Sequence, residues 1–219
     1  MTSLPTPPPA DPLPLVATWL ADVTASRTQR NPNALALATS NALGSPSVRM
    51  VLVKELAPAG YAVFYTNYAS RKAAELEHRG RAAGMFYWES IGRQVRLEGP
   101  TVRAPAADSD AYFASRPLQS QLNAWSSQQS RPLANPADLD AAAERTAREL
   151  GISVDGSNAA RPVPRPEHWG GYRLWFDTVE LWAEGANRFH ERLRYRRELD
   201  RADAFAFRAG PWTVQWLQP

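Results

Sequence analysis

Apolar positions along this chain recur with two periods, and the change of period marks out its elements. Behind Asp11 and Pro12, a helix-start signal, Leu15, Trp19, Leu20 and Val23 repeat at helical spacing and predict a first helix to about Ser26. Short strand-like runs follow at 34–39, 47–56 and 61–66, with NALGS as a turn between the first two and Pro58 and Gly60 closing the second. Together they predict a meander. Ser70 is placed to cap a short helix through His78, after which 83–88 and 94–102 read as two more strands. Helical character returns at 108–115 and 120–126, then more strongly over 136–150, where Asp138 and Glu144 to Arg148 supply a charged face. A proline-rich loop at 156–166 precedes three strand-like segments, 171–183, 189–198 and 212–217. No internal repeat is visible.

Many short strands, interspersed helices and no strict βαβ alternation predict a mainly β protein with helices (α+β), an antiparallel barrel or sandwich with helices packed outside. Residues 1–10 (MTSLPTPPPA) hold too little apolar surface for a core and read as a flexible arm, leaving 11–219 as one domain. The longest apolar stretches, such as 34–38 and 61–65, are far short of the roughly 20 residues of a membrane helix, and no basic-then-apolar leader opens the chain. We therefore expect a soluble, unexported, cytoplasmic protein. The absence of cysteine excludes disulfides, thiolate metal sites and a cysteine nucleophile.

Charge sharpens this picture. The formal net charge of +3 rests on a base set that is nearly all arginine, the only lysines being Lys54 and Lys72. Such isolated lysines suit places where a compact ammonium meets a phosphate, although chance placement is the plain alternative. No nucleic-acid-reading motif, dinucleotide fingerprint, phosphate loop or paired-histidine metal motif is present, and the arginines form no long block. His78, His168 and His190 lie far apart in sequence, so no metal is expected.

In the run Arg49-Met-Val-Leu-Val-Lys54, a regular strand puts Arg49, Val51 and Val53 on one face and Met50, Leu52 and Lys54 on the other. Its two cations then face oppositely unless a bulge or the strand end lets them converge. Downstream, Tyr65-Thr-Asn-Tyr-Ala-Ser-Arg-Lys72 ends a strand in hydroxyl and amide groups and enters a helix start bearing Ser70, Arg71 and Lys72. Capping explains Ser70, but cations in a first turn oppose the helix dipole, which favours an anion site. Tyr112, Arg116 and Ser120 recur at four-residue spacing around Pro117, a set suited to a second phosphate. Arg188, His190 and Arg192 alternate along one predicted strand face, where they either meet an anionic ligand or pair with Glu180, Glu184, Glu191 or Glu198.

The strings RMVLVK, VFYTNYASRK, RQVRLEG, AYFASRPLQSQLNAWSSQQS, WGGYRL and VELWAEGANRFHERLRYRRE stand in an order and spacing that resemble the pyridoxamine 5'-phosphate oxidase family over almost the whole chain. That resemblance implies a split antiparallel β-barrel that binds FMN, with peripheral helices, and a homodimer with two FMN sites across its interface. It implies FMN contacts at Arg49, Met50, Val51, Leu52, Val53, Lys54, Tyr65, Thr66, Arg71, Lys72, Gln94, Gln129, Ser130, Trp182 and Arg192. Substrate contacts fall on Lys54, Tyr112, Arg116 and Ser120 at the phosphate, and on Arg188 and His190, the implied catalytic pair, beside the ring and its reacting carbon. The implied reaction is oxidation of pyridoxamine 5'-phosphate or pyridoxine 5'-phosphate to pyridoxal 5'-phosphate, with dioxygen as acceptor.

Some features depart from the family pattern. Residues 1–10 carry neither the arginine nor the tyrosine of the N-terminal segment that often covers substrate in the family. Ala186 and Asn187 replace more polar or basic residues, and the 201–210 loop is longer than usual. Rival readings are a phenazine-biosynthesis oxidase of the same barrel family and a non-catalytic flavin or pyridoxal phosphate carrier. The quartet Lys54, Tyr112, Arg116 and Ser120 argues against a substrate without phosphate.

Overall fold

The computed structural model describes residues 3–152 and 162–219. Much of the expected 156–166 loop therefore lies outside the described residues. Contacts between Cα atoms divide the chain into two compact units: Met1–Phe64, Glu75–Val102 and Tyr172–Pro219 form the first, Tyr65–Ala74 and Arg103–Gly171 the second.

The first unit is built on a sheet of the predicted type. Its strands are β1 (Ala34–Ser40), β2 (Pro46–Ala57), β3 (Tyr61–Asn67), β4 (Arg81–Trp88), β5 (Arg93–Arg103), β6 (Trp169–Trp175), β7 (Thr178–Ala183), β8 (Glu191–Arg196) and β11 (Thr213–Leu217). Their order is β11-β8-β7-β5-β4-β1-β2-β3-β6, and β5 also pairs with β6. That extra pairing closes six strands into a barrel and leaves β7, β8 and β11 as a wing extending from β5. The meander is antiparallel: Ala36 pairs with Met50, and Val53 with Phe64.

Alternation along these strands is what fills the core of the barrel and its wing. Leu35, Leu37, Phe86, Val95, Leu97, Leu181 and Leu193 are fully buried, whereas Val48, Met50 and Leu52 on the opposite face of β2 remain exposed. Helix α1 (Leu13–Ser26) buries Leu13, Val16, Trp19 and Val23; of the stripe that periodicity marked, Trp19 and Val23 are buried, whereas Leu15 and Leu20 are only half-buried. The arm is not wholly outside this core: Leu4 is buried, and its N–H donates to Glu191 Oε2 at 2.6 Å. A leucine among prolines is enough to dock a segment that composition alone describes as free.

Two further differences from expectation concern strand ends. The segment 171–183 is two strands, because the chain turns at Phe176 and Asp177, whose N–H groups bond Gly60 O and Glu98 O. The long 201–210 loop contributes a hairpin of β9 (Leu199–Arg201) and β10 (Phe207–Ala209). Phe207 packs against Trp175, and Arg173 donates to the Phe205 carbonyl, which holds this excursion down.

In the second unit lie α3 (Ala106–Ala114), α4 (Leu118–Ser126) and α5 (Ala137–Glu149). Their core joins Phe113, Leu122, Ala147, Ile152, Val163 and Trp169. Helix α2 (Arg71–Arg79) begins in this unit. As expected, Pro117 separates α3 from α4 and stands as the N-cap of the latter.

Candidate active site

In the second unit, the end of β3 and the start of α2 gather the groups that the sequence singled out. Asn67 Oδ1 accepts from Ala69 N–H and its amide donates to Ser127 O, while Ser70 Oγ caps the Ala73 N–H. This turn brings Lys72 Nζ to 3.0 Å from Thr66 Oγ1, 3.3 Å from Ser70 Oγ and 2.6 Å from Gln129 Oε1, and Thr66 also donates to Gln129. The ammonium is thus oriented by oxygens, beside the helix-start amides and Arg71. Ser130 adopts a left-handed φ of 73°, which turns the chain immediately after Gln129.

A second cluster in the same unit is aromatic and cationic. Tyr65 stacks on Tyr112 at 4.1 Å and on Trp169 at 5.4 Å, and the Arg116 guanidinium lies 4.6 Å from the Trp169 ring centre. Gly170 and Gly171 permit this closeness, since a Cβ on either would fall within 3 Å of the Tyr68 or Tyr65 side chain. Arg116 Nη1 is buried and has no hydrogen-bond partner among the described residues. Burial holds its pKa below the ordinary arginine value, with Tyr112 acting in the opposite sense. Ser120, in the first turn of α4, follows Arg116 across the Pro117 cap.

Within the first unit, β2 separates its two cations as the alternation required. Lys54 is exposed with Met50 and Leu52, and Val51 and Val53 are buried. The register of β2 against β3 shifts between Val53 and Glu55, so Lys54 sits at an irregularity. Arg49 faces the other way. Its Nη1 donates to Leu37 O and Thr39 Oγ1, and its Nη2 to Ser47 Oγ and the buried carboxylate of Glu75.

Gln94, Trp182 and Arg192 form one cross-strand row: Gln94 pairs with Trp182, and Trp182 with Arg192. The neighbouring row, Val95, Leu181 and Leu193, is buried, so the first row lies on the outer face. Arg192 donates through Nε and Nη2 to Glu180 Oε1 at 3.0 and 2.8 Å, which realises one of the ion pairs anticipated from sequence. Arg188 does not share a regular strand face with His190 and Arg192. Asn187 and Arg188 have left-handed φ values of 53° and 65°, and β8 begins only at Glu191. The Trp182 and His190 rings lie 4.6 Å apart.

Sequence reasoning missed Glu75 and Gly185, the latter packed against the Phe189 carbonyl. Glu75 reads as one more charge on a polar helix. Gly185 had a usable signal, a glycine two residues before the Asn187-Arg188 pair.

A family model described as pyridoxamine 5'-phosphate oxidase matches residues 24–148, and one described as the pyridoxine 5'-phosphate oxidase C-terminal dimerisation region matches residues 169–219. The chain belongs to the pyridoxamine 5'-phosphate oxidase family. Among its oxidase relatives, the pyridoxine/pyridoxamine 5'-phosphate oxidase of Cereibacter sphaeroides is 46% identical over 209 residues, 95% of each chain. That of Paracoccus denitrificans is 46% identical over 202 residues, 90% of this chain and 87% of its own. Of solved structures, PhzG from Burkholderia lata, in complex with tetrahydrophenazine-1-carboxylic acid, superposes with a TM-score of 0.80 at 32% identity, covering 97% of this chain and 94% of its own. A pyridoxamine 5'-phosphate oxidase-related, FMN-binding protein from Nostoc punctiforme shares the fold at a TM-score of 0.70 and 16% identity, over 94% of this chain and 98% of its own. No helix among the described residues is long and apolar enough to cross a membrane.

Proposed function

We propose that this chain oxidises pyridoxamine 5'-phosphate and pyridoxine 5'-phosphate to pyridoxal 5'-phosphate, using FMN and dioxygen. The observation that carries this reading is the 46% identity, over 95% of both chains, to an oxidase of that name. FMN, when bound, supplies the acceptor for a hydride from the substrate C4', and dioxygen restores it with release of hydrogen peroxide. With the amine substrate, hydrolysis of the oxidised product releases ammonia. The residues fit such a cofactor. Thr66, Arg71, Lys72, Gln129 and Ser130 offer an oriented ammonium, a guanidinium and polar groups at a helix start for a phosphate.

Tyr112, Arg116 and Ser120 bind the substrate phosphate, supported by the spare buried donor of Arg116, and Lys54 takes part from the irregular stretch of β2. Arg188 and His190 orient the substrate ring. Gln94, Trp182 and Arg192 contribute to FMN from the outer face of the wing, as do residues 49–54 of β2. The chain works as a homodimer with FMN sites across the interface, a reading supported by the match to a dimerisation region and by exposed Val48, Met50 and Leu52.

The likeness to PhzG favours a second reading, oxidation of a phenazine precursor. Anaerobic mixing of the FMN-loaded protein with each phosphorylated substrate separates the two. Bleaching of the flavin band with formation of pyridoxal 5'-phosphate supports the first. An unchanged band with both, followed by bleaching with a reduced phenazine carboxylate, rejects it.

A further inference from the structure

We propose that Gly185 is a positioning residue that fixes His190 as a hydrogen-bond donor through Nε2. The Gly185 N–H donates to His190 Nδ1 at 3.3 Å. A nitrogen that accepts this bond carries a lone pair, so the proton of the neutral imidazole resides on Nε2. The Trp182 ring, 4.6 Å away and tilted by 39°, limits its rotation.

Only glycine fits at this position. A Cβ on residue 185 would lie 1.9 Å from the Phe189 carbonyl oxygen, 2.7 Å from its carbon and 3.4 Å from His190 Cα, all backbone atoms that no rotamer change can move aside. The approach is enforced from within the loop. Asn187 and Arg188 wind it with consecutive left-handed φ values of 53° and 65°, and Phe189 N–H bonds Ala186 O at 3.1 Å. The loop that carries Arg188 outward thereby returns His190 to the one backbone N–H that sets its tautomer. In the oxidase reading, on which the catalytic consequence rests, His190 presents Nε2–H to a substrate lone pair. It does not present a basic nitrogen there.

The test is a long-range 1H–15N spectrum of the FMN-loaded enzyme labelled at its histidine ring nitrogens, at a pH where imidazole is neutral, with His190 assigned by its loss in His190→Gln. A protonated Nε2 and bare Nδ1 are expected for His190. In Gly185→Ala the ring should become a mixture of tautomers, with kcat lower on the order of tenfold or more and KM within about twofold, because groups that hold the phosphate are untouched. A proton on Nδ1 in the parent enzyme overturns the proposal, and so does a Gly185→Ala spectrum that keeps the single Nε2–H form. If Gly185→Ala does not fold, the parent spectrum still decides. An enzyme that shows the Nε2–H form yet oxidises neither phosphorylated substrate refutes the oxidase reading and leaves the positioning role standing.

Discussion

Arg49 and Glu75 meet at 3.2 Å where the Glu75 side chain is 4% exposed, and the same carboxylate oxygen accepts from Ser47 and Thr39. One buried anion therefore ties a helix to two strands. Removing it in Glu75→Ala leaves Arg49 and two hydroxyls without their acceptor, which should cost about 3 kcal/mol. For a chain of this size that corresponds to a fall in Tm of roughly 6–12 °C. Thermal unfolding followed by circular dichroism measures it, and a shift within a degree would show that the network is dispensable.

Lys72 offers a different prediction, because its contacts to Thr66 and Gln129 hold it in place before any ligand arrives. Lys72→Met should weaken FMN binding on the order of 10- to 100-fold, the worth of a charge-assisted hydrogen bond. Quenching of flavin fluorescence on titration reads this directly. Unchanged affinity would remove Lys72 from the cofactor site.

For Arg116, the expected loss is specific to phosphate. Arg116→Ala should raise KM for pyridoxamine 5'-phosphate on the order of 100-fold, while any slow oxidation of unphosphorylated pyridoxamine stays as it was. Arg116→Lys should recover little, since an ammonium cannot reproduce the planar contact with Trp169. Equal losses with both substrates would point instead to a structural role.

Tyr195 makes a prediction about alkaline stability. Burial, assisted by Asp11, raises its pKa to about 12, and its hydroxyl has no hydrogen-bond partner among the described residues. The folded state thus retains a proton that the unfolded chain loses from about pH 10. Its contribution is complete below pH 10 and is lost as pH rises toward 12. Urea midpoints should fall more steeply across that window for the parent than for Tyr195→Phe, which at neutral pH should be equal or slightly more stable. Parallel curves would contradict the assignment.

How much of this was legible in the sequence depends on where each signal resides. Helix α1, the meander and the break at Pro117 carry local signals in periodicity, turns and proline, and they stand near their expected bounds. The closure of β5 on β6 has no local signature, because it pairs segments about seventy residues apart. The turn at Phe176 and Asp177 lacks the glycine or proline that would have announced it, and β9 and β10 are too short to show alternation. Lys54 and Lys72 stood out by rarity. Arg188 was misplaced on a strand because the sequence does not advertise two left-handed residues in succession, although Asn187 tolerates that conformation better than most.

The hairpin β9–β10 is inserted between β8 and β11, strands that already pair with each other, Arg196 against Thr213. Its two ends therefore leave and re-enter the sheet side by side, Leu199 opposite Ala209. A detour with adjacent ends imposes little geometric demand on what it contains. The exposed stretch 202–204, ahead of the Phe205 carbonyl that Arg173 holds, is accordingly the place to graft an epitope, a fluorophore or a surface tether without rerouting the strands on either side.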